Sequence, residues 1–156
     1  MERKAKPKSA AHKDGGRTSP EVMGLLIQAR ALELTSVLQM LWQEYAVAGL
    51  ESAYLHDVFE KIGREEMSHS EWLQERITFL GGDASMRTRD FKRSADALGM
   101  IADDVEMEKT IIAIYRKLVD AASAVKDWGT RHLAEKLLFE SEGHLNTFET
   151  LLKKSK

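Results

Sequence analysis

Glu66-Met67-Ser68-His69 places a carboxylate and an imidazole three residues apart inside a long apolar-periodic segment. Residues at that spacing share one helix face. Burying a carboxylate beside an imidazole is costly unless something binds both, so a metal ion is the first chemistry to consider. Glu33, Glu108 and His144 interrupt the apolar stripes of three other helical segments. A lone inward histidine is more often a satisfied core residue than a ligand, and an inward glutamate is often paired with lysine or arginine. No basic residue falls on these stripes at that height. Three glutamates and two histidines at one level would be strongly destabilising without a cation. Carboxylate-rich ligation with two imidazoles suits iron or manganese better than zinc or copper.

The elements that must position these residues are four. Thr18-Ser19-Pro20-Glu21 predicts a helix start, with Ser19 as N-cap and Pro20 at the first helical position. The stripe Val22, Leu26, Ala29, Val37, Met40 then runs towards Gly49 with Glu33 in its middle. A second helix, from about Glu51 to Leu80, carries Leu55, Phe59, Ile62, Glu66, His69, Leu73, Ile77 and Leu80 and is stopped by Gly81-Gly82. Residues 81–96 show no amphipathic pattern and are too many for a helical hairpin. A third helix covers about Ala97 to Val125, with Ile101, Val105, Ile112, Tyr115, Val119 and Ala122 inward and Glu108 among them. A break at Asp127-Trp128-Gly129-Thr130 leads to a fourth, about Arg131 to Lys153, where His144 lies among Leu133, Leu137, Phe148 and Leu151.

The fold class is therefore all-α: an antiparallel four-helix bundle with one long crossover between helices 2 and 3. Counting from the turns supports a common height. Glu33 lies 16 residues before Gly49 and Glu66 lies 15 after Glu51, which puts both about 23 Å from the same turn. Glu108 lies 19 before Asp127 and His144 lies 14 after Thr130, a looser agreement within about 8 Å.

At 156 residues the chain is expected to be one domain with a real core. The absence of cysteine excludes disulfides, thiolate catalysis, iron–sulfur clusters and zinc fingers, and is compatible with a cytoplasmic location. No apolar run approaches a membrane span and none follows the basic N-terminus as in a signal peptide, so a soluble, unexported protein is expected. Residues 1–19 hold six basic residues (Arg3, Lys4, Lys6, Lys8, Lys13, Arg17) against Glu2 and Asp14, a surplus of four. With −2 overall, the remainder carries −6. The expected organisation is a disordered basic tail over 1–19 and a bundle domain over 20–156. The tail reads as a solvated segment or as a contact for phosphates.

The segment EMSHSEWLQERITFLGG, residues 66–82, resembles the second-helix motif of the ferritin-like superfamily, and of bacterioferritins in particular. VEMEKTIIAIYRKLV around Glu108 and ESEGHLNTFETLL around His144 take the third- and fourth-helix places, and the resemblance covers about 20–152. It implies a diiron centre in which Glu33 and Glu108 are terminal carboxylates, Glu66 bridges, and His69 and His144 are imidazole ligands. The family's second bridging carboxylate falls three residues before the fourth-helix histidine, and here that position is Ser141. Glu140 lies near the inward face and is a candidate to swing in; Glu142 points away. Three outcomes stay open: Glu140 compensates, the site holds metal with altered oxidation, or the subunit is a degenerate shell component.

Met67 matches the position at which bacterioferritins present a haem ligand at a two-fold interface, so haem b joins iron as an implied cofactor; a gap-filling methionine is the plainer reading. Trp42 and Trp72, off the inner stripes, suggest subunit contacts, with exposed or edge packing as the alternative. Twelve residues follow His144, which by resemblance favours a shell of 12 subunits, or of 24 with open channels. The expected function is oxidation of Fe(II) by oxygen or hydrogen peroxide at Glu33, Glu66, His69, Glu108 and His144, with storage or detoxification of iron in a homo-oligomeric cage. The rival readings are a DNA-protecting miniferritin-like protein acting through its tail, a rubrerythrin-like peroxide reductase, and an inactive shell subunit.

Overall fold

The computed structural model describes residues 18–83 and 86–154. Ser19 accepts a hydrogen bond from the Val22 amide at 3.2 Å, and with Pro20 in the first turn this starts α1, Pro20–Ala46. Helix α2 spans Ser52–Phe79. It ends because Gly81 adopts φ +83°, a conformation that costs glycine little. The Gly82 amide then reaches Ile77 O at 2.9 Å and the Gly81 amide reaches Thr78 O at 3.0 Å, the paired bonds of a Schellman stop.

Helix α3, Ala97–Ala124, is capped by the Asp96 side chain, which accepts from the Gly99 amide at 2.9 Å. Helix α4 spans Trp128–Lys154 and so begins before the expected Arg131. The sequence Asp127-Trp128-Gly129-Thr130 is not a break but a helix start. Asp127 accepts from the Thr130 amide at 3.1 Å and from the Thr130 hydroxyl at 2.6 Å.

The apolar stripes close into two cores rather than one. At one end lie Val22 and Leu26 of α1, Ile77 of α2, Leu118 and Ala122 of α3, and Ala134 and Leu137 of α4. At the other end lie Met40, Leu55, Phe59, Met100, Ile101 and Phe148. The start of α3 thus sits beside the start of α2, so the crossover travels the length of the bundle. The Arg89 amide pins it to Thr35 of α1 at 2.8 Å, and its described residues hold no helix. Helix α1 packs on α2 and α3 on α4, α1 also meets α3, and α2 and α4 touch least.

Val37, Leu80, Val119, Leu133 and Leu151, expected inward, are only half-buried. Trp42 and Trp72, expected at subunit contacts, are partly buried against the chain's own two cores. Of the expected tail, residues 1–17 lie outside the described residues, and Ser19 belongs to the bundle as a cap. No described helix is long and apolar enough to cross a membrane.

Candidate metal centre

Between the two apolar cores lies a polar layer contributed by all four helices. Glu33, Glu66, His69 and Glu108 are completely buried and His144 is 7% exposed. Each sits where its helix's stripe demands an inward side chain. The polar residue is therefore carried into the interior by its apolar neighbours, such as Leu32, Leu73 and Ile111.

The layer resolves into two triads, Glu33–Glu66–His69 and Glu66–Glu108–His144, each with its ligand-type atoms within 4.8 Å of one another. Glu66 belongs to both and divides its oxygens between them. Its Oε2 lies 2.9 Å from His69 Nδ1, and its Oε1 lies 3.5 Å from His144 Nδ1. Glu33 Oε1 is 3.6 Å from His69 Nδ1, and Glu108 Oε1 is 3.4 Å from His144 Nδ1. The two rings stack with centroids 5.7 Å apart.

Several of these atoms lack hydrogen-bond partners: Glu33 Oε2, both oxygens of Glu108, and His144 Nδ1. An unsatisfied buried carboxylate is expensive. Cations held in the two triads would relieve these atoms, so the residues fit a diiron-type site in composition. Without cations, protons do the compensating. Burial, and then the charge of Glu66, raises the Glu33 and Glu108 carboxyls well above 4.5. Burial also acts to raise Glu66, but the close approach of Glu33 and of the two imidazoles holds it well below 4.5. Burial alone would lower the histidines. The neighbouring carboxylates of Glu33 and Glu66 instead push His69 up to about 10. Glu108 and Glu66 likewise push His144 up to about 11.

A second ring of residues holds the first. His69 Nε2 meets Glu140 Oε2 at 2.7 Å, and His144 Nε2 meets Glu65 Oε2 at 2.9 Å. Glu140 therefore stands on the outward nitrogen of His69 and belongs to neither triad. That is the place of a carboxylate that orients a ligating imidazole. Ser141 itself is fully buried and its hydroxyl has no partner. Tyr115 donates to Glu33, and Ser36 donates to Glu66 at 3.4 Å.

Tyr115, Ser36 and Glu65 were not singled out in the sequence. Tyr115 passed as an apolar residue of its stripe, although it is seven residues from Glu108 and so on the same face. Glu65 lies off the stripe of α2 and carries no periodic signal. Where α2 and α4 part, a groove of about 710 Å³ lined by Asp57, Glu65, Glu140 and His144 leads to the layer. Met67 lies away from this centre, 40% exposed, in a groove with Leu41, Tyr45 and Arg64.

The ferritin-like domain family matches residues 24–156. The chain belongs to the ferritin-like family. Bacterioferritin from Desulfovibrio desulfuricans is 27% identical over 132 residues, covering 84% of this chain and 74% of that protein. A nutrient stress-induced DNA-binding protein from Nostoc sp. is also 27% identical, over 139 residues, covering 83% and 75%. A crystal structure of ferritin-like, diiron-carboxylate proteins from Bacillus anthracis superposes with a TM-score of 0.83 at 22% identity, over 86% of this chain and 99% of that one. That likeness establishes the ferritin-like fold.

Proposed function

We propose that this ferritin-like protein is a cytoplasmic ferroxidase. It takes up Fe(II) as substrate at the two triads, oxidises it with oxygen or hydrogen peroxide, and stores or detoxifies the ferric product in a hollow homo-oligomer of 12 or 24 copies. The observation that carries this reading is Glu66, whose two oxygens face different triads. Two ferrous ions supply one electron each, which allows a two-electron reduction of the oxidant. The chain's own part is to bind and to manage protons. Glu33, Glu108 and the Nδ1 atoms of His69 and His144 give up protons as metal enters. Tyr115 holds Glu33, while Glu65 and Glu140 keep the rings oriented through Nε2. The groove between α2 and α4, where Asp57, Glu65 and Glu140 outnumber Lys61, draws cations towards His144.

Anaerobic titration with Fe(II), followed by oxygen, tests the reading. The expected result is uptake of two ions per chain and their rapid oxidation, both lost in Glu66→Ala; uptake unchanged in that variant would falsify it. The fully buried, unpartnered hydroxyl of Ser141 favours a slower centre than one with two bridging carboxylates. The exposed position of Met67 leaves its sulfur available for haem b at a contact between copies. Titration with haemin checks this: a Soret shift that disappears in Met67→Ala supports haem, and no shift removes it. A second reading, DNA retention, rests on the basic composition of residues 1–17 and on the DNA-binding relative. DNA retention that is salt-sensitive and lost on deleting that segment would support it.

A further inference from the structure

A third group of metal-capable side chains lies outside the polar layer, near the turn between α1 and α2. Glu44 of α1 and His56 and Glu60 of α2 offer one ligand atom each, all within 4.8 Å of one another. His56 and Glu60 are four residues apart and share a helix face, while Glu44 comes across from α1. The Tyr45 ring and the imidazole pack near-perpendicular with centroids 6.0 Å apart.

The imidazole is bracketed by carboxylates. His56 Nε2 lies 3.3 Å from Glu44 Oε1, and Nδ1 lies 3.5 Å from Asp57 Oδ1. In its neutral form the ring has one N–H and one lone pair, so in that form it can donate to one of the two and present a lone pair to the other. A cation between Nε2 and Glu44, with Nδ1–H turned to Asp57, satisfies all three groups. That is the carboxylate–histidine–metal arrangement of ordinary metal sites. The Glu44 side chain is 10% exposed, so water does little to relieve it.

Charge points the same way. Glu44, Asp57 and Glu60 surround one imidazole, and the positive group seen on them is the Arg64 guanidinium. Its Nε and Nη2 hold Glu60 Oε1 at 3.1 and 2.7 Å. Arg64 thus holds one oxygen of the carboxylate that a metal ion would need and draws its charge away from the imidazole.

We propose that Glu44, His56 and Glu60 form an outward-facing site for one divalent transition-metal ion, with Arg64 as its built-in competitor. One nitrogen and two carboxylates suit Fe(II), Co(II) or Zn(II) rather than calcium. The site is separate from the inner centre, six residues along α2 from Glu66, or about 9 Å of helix rise.

Anaerobic titration of the full-length protein with Co(II) alone, counting bound ions per chain, tests this. His56→Ala is expected to bind one ion fewer than the wild type, and Glu66→Ala to keep the ion that His56→Ala loses. Arg64→Ala is expected to bind that same ion roughly tenfold more tightly, because a charge-assisted pair no longer competes for Glu60. Equal ion counts in the wild type and His56→Ala overturn the site, and an unchanged affinity in Arg64→Ala overturns the competitor role. Failure of the inner centre reads differently: ions lost in neither Glu66→Ala nor Glu33→Ala, whatever His56→Ala does.

Discussion

Glu108 carries both of its carboxylate oxygens into the bundle without a hydrogen-bond partner, and Ser141 lies buried in the same layer with an idle hydroxyl. In the proposed diiron reading, a cation would meet the Glu108 oxygens, and Ser141 would leave a hydroxyl where a carboxylate would add negative charge. Ser141→Glu is expected to speed Fe(II) oxidation several-fold, while lowering the stability of the metal-free protein by about 1–3 kcal/mol through one more buried carboxyl. Stopped-flow oxidation and urea unfolding in chelator check the two halves. The histidines set a pH dependence. Their folded pKa values are raised from 6.5 to about 10 and about 11, so the native metal-free state holds these protons more tightly than the unfolded chain. Their stabilisation is full below pH 6.5 and is lost as pH rises through about 10 and 11. Glu33 and Glu108, also raised, contribute fully below 4.5 and lose that contribution as pH rises above it, while Glu66, lowered, contributes above 4.5 and loses its contribution in acid. The urea midpoint of chelated protein should therefore fall between pH 7 and pH 10. Metal uptake should release protons, measurable in weakly buffered solution.

At the scale of the elements, the joint between α3 and α4 does the most with the fewest residues. Helix α3 stops with Lys126 at φ +60°, while the Asp127 amide reaches back to Ala122 O at 2.9 Å. A left-handed residue with a Cβ costs about 1–2 kcal/mol, so Lys126→Gly is expected to stabilise the protein by about 1 kcal/mol in urea unfolding. Asp127 then caps α4 through Thr130 and also accepts from Arg76 of α2. Arg76 donates to Thr130 as well, at 2.9 Å, and lies against Gly129, where an added Cβ would stand 2.9 Å from its Nη2. This contact ties the end of α2 to the start of α4, two helices that otherwise touch least. Asp127→Ala is expected to cost about 1–2 kcal/mol, from the lost cap and the stranded guanidinium. The stripes of α1, α2 and α3 were legible because apolar spacing repeats locally. The start of α4 was not, because Trp128-Gly129 reads as a break until the Arg76 partner of Asp127 is in place.

For the whole molecule, two separate apolar cores flank the polar layer. The bundle is thus held on both sides of a centre that works against it. Chelated protein is expected to remain helical and to unfold cooperatively at a lower temperature than metal-loaded protein. Each site filled to a hundred times its Kd adds about 2.7 kcal/mol. Paired thermal scans in chelator and in Co(II) check this, and identical midpoints would argue against ions bound in the layer.

The sequence alone determined that there are four amphipathic helices, that one connection is long, and that Glu33, Glu66, His69, Glu108 and His144 face inward. Each of these follows from spacing along one chain segment. Only the tertiary structure decided which atoms meet. It gave one oxygen of Glu66 to each triad, set Glu140 and Glu65 on the outward nitrogens of the rings, and brought Tyr115 to Glu33. The reason is physical. Periodicity fixes the face on which a side chain leaves its helix, whereas its partner is fixed by the relative heights and rotations of helices packed through distant contacts.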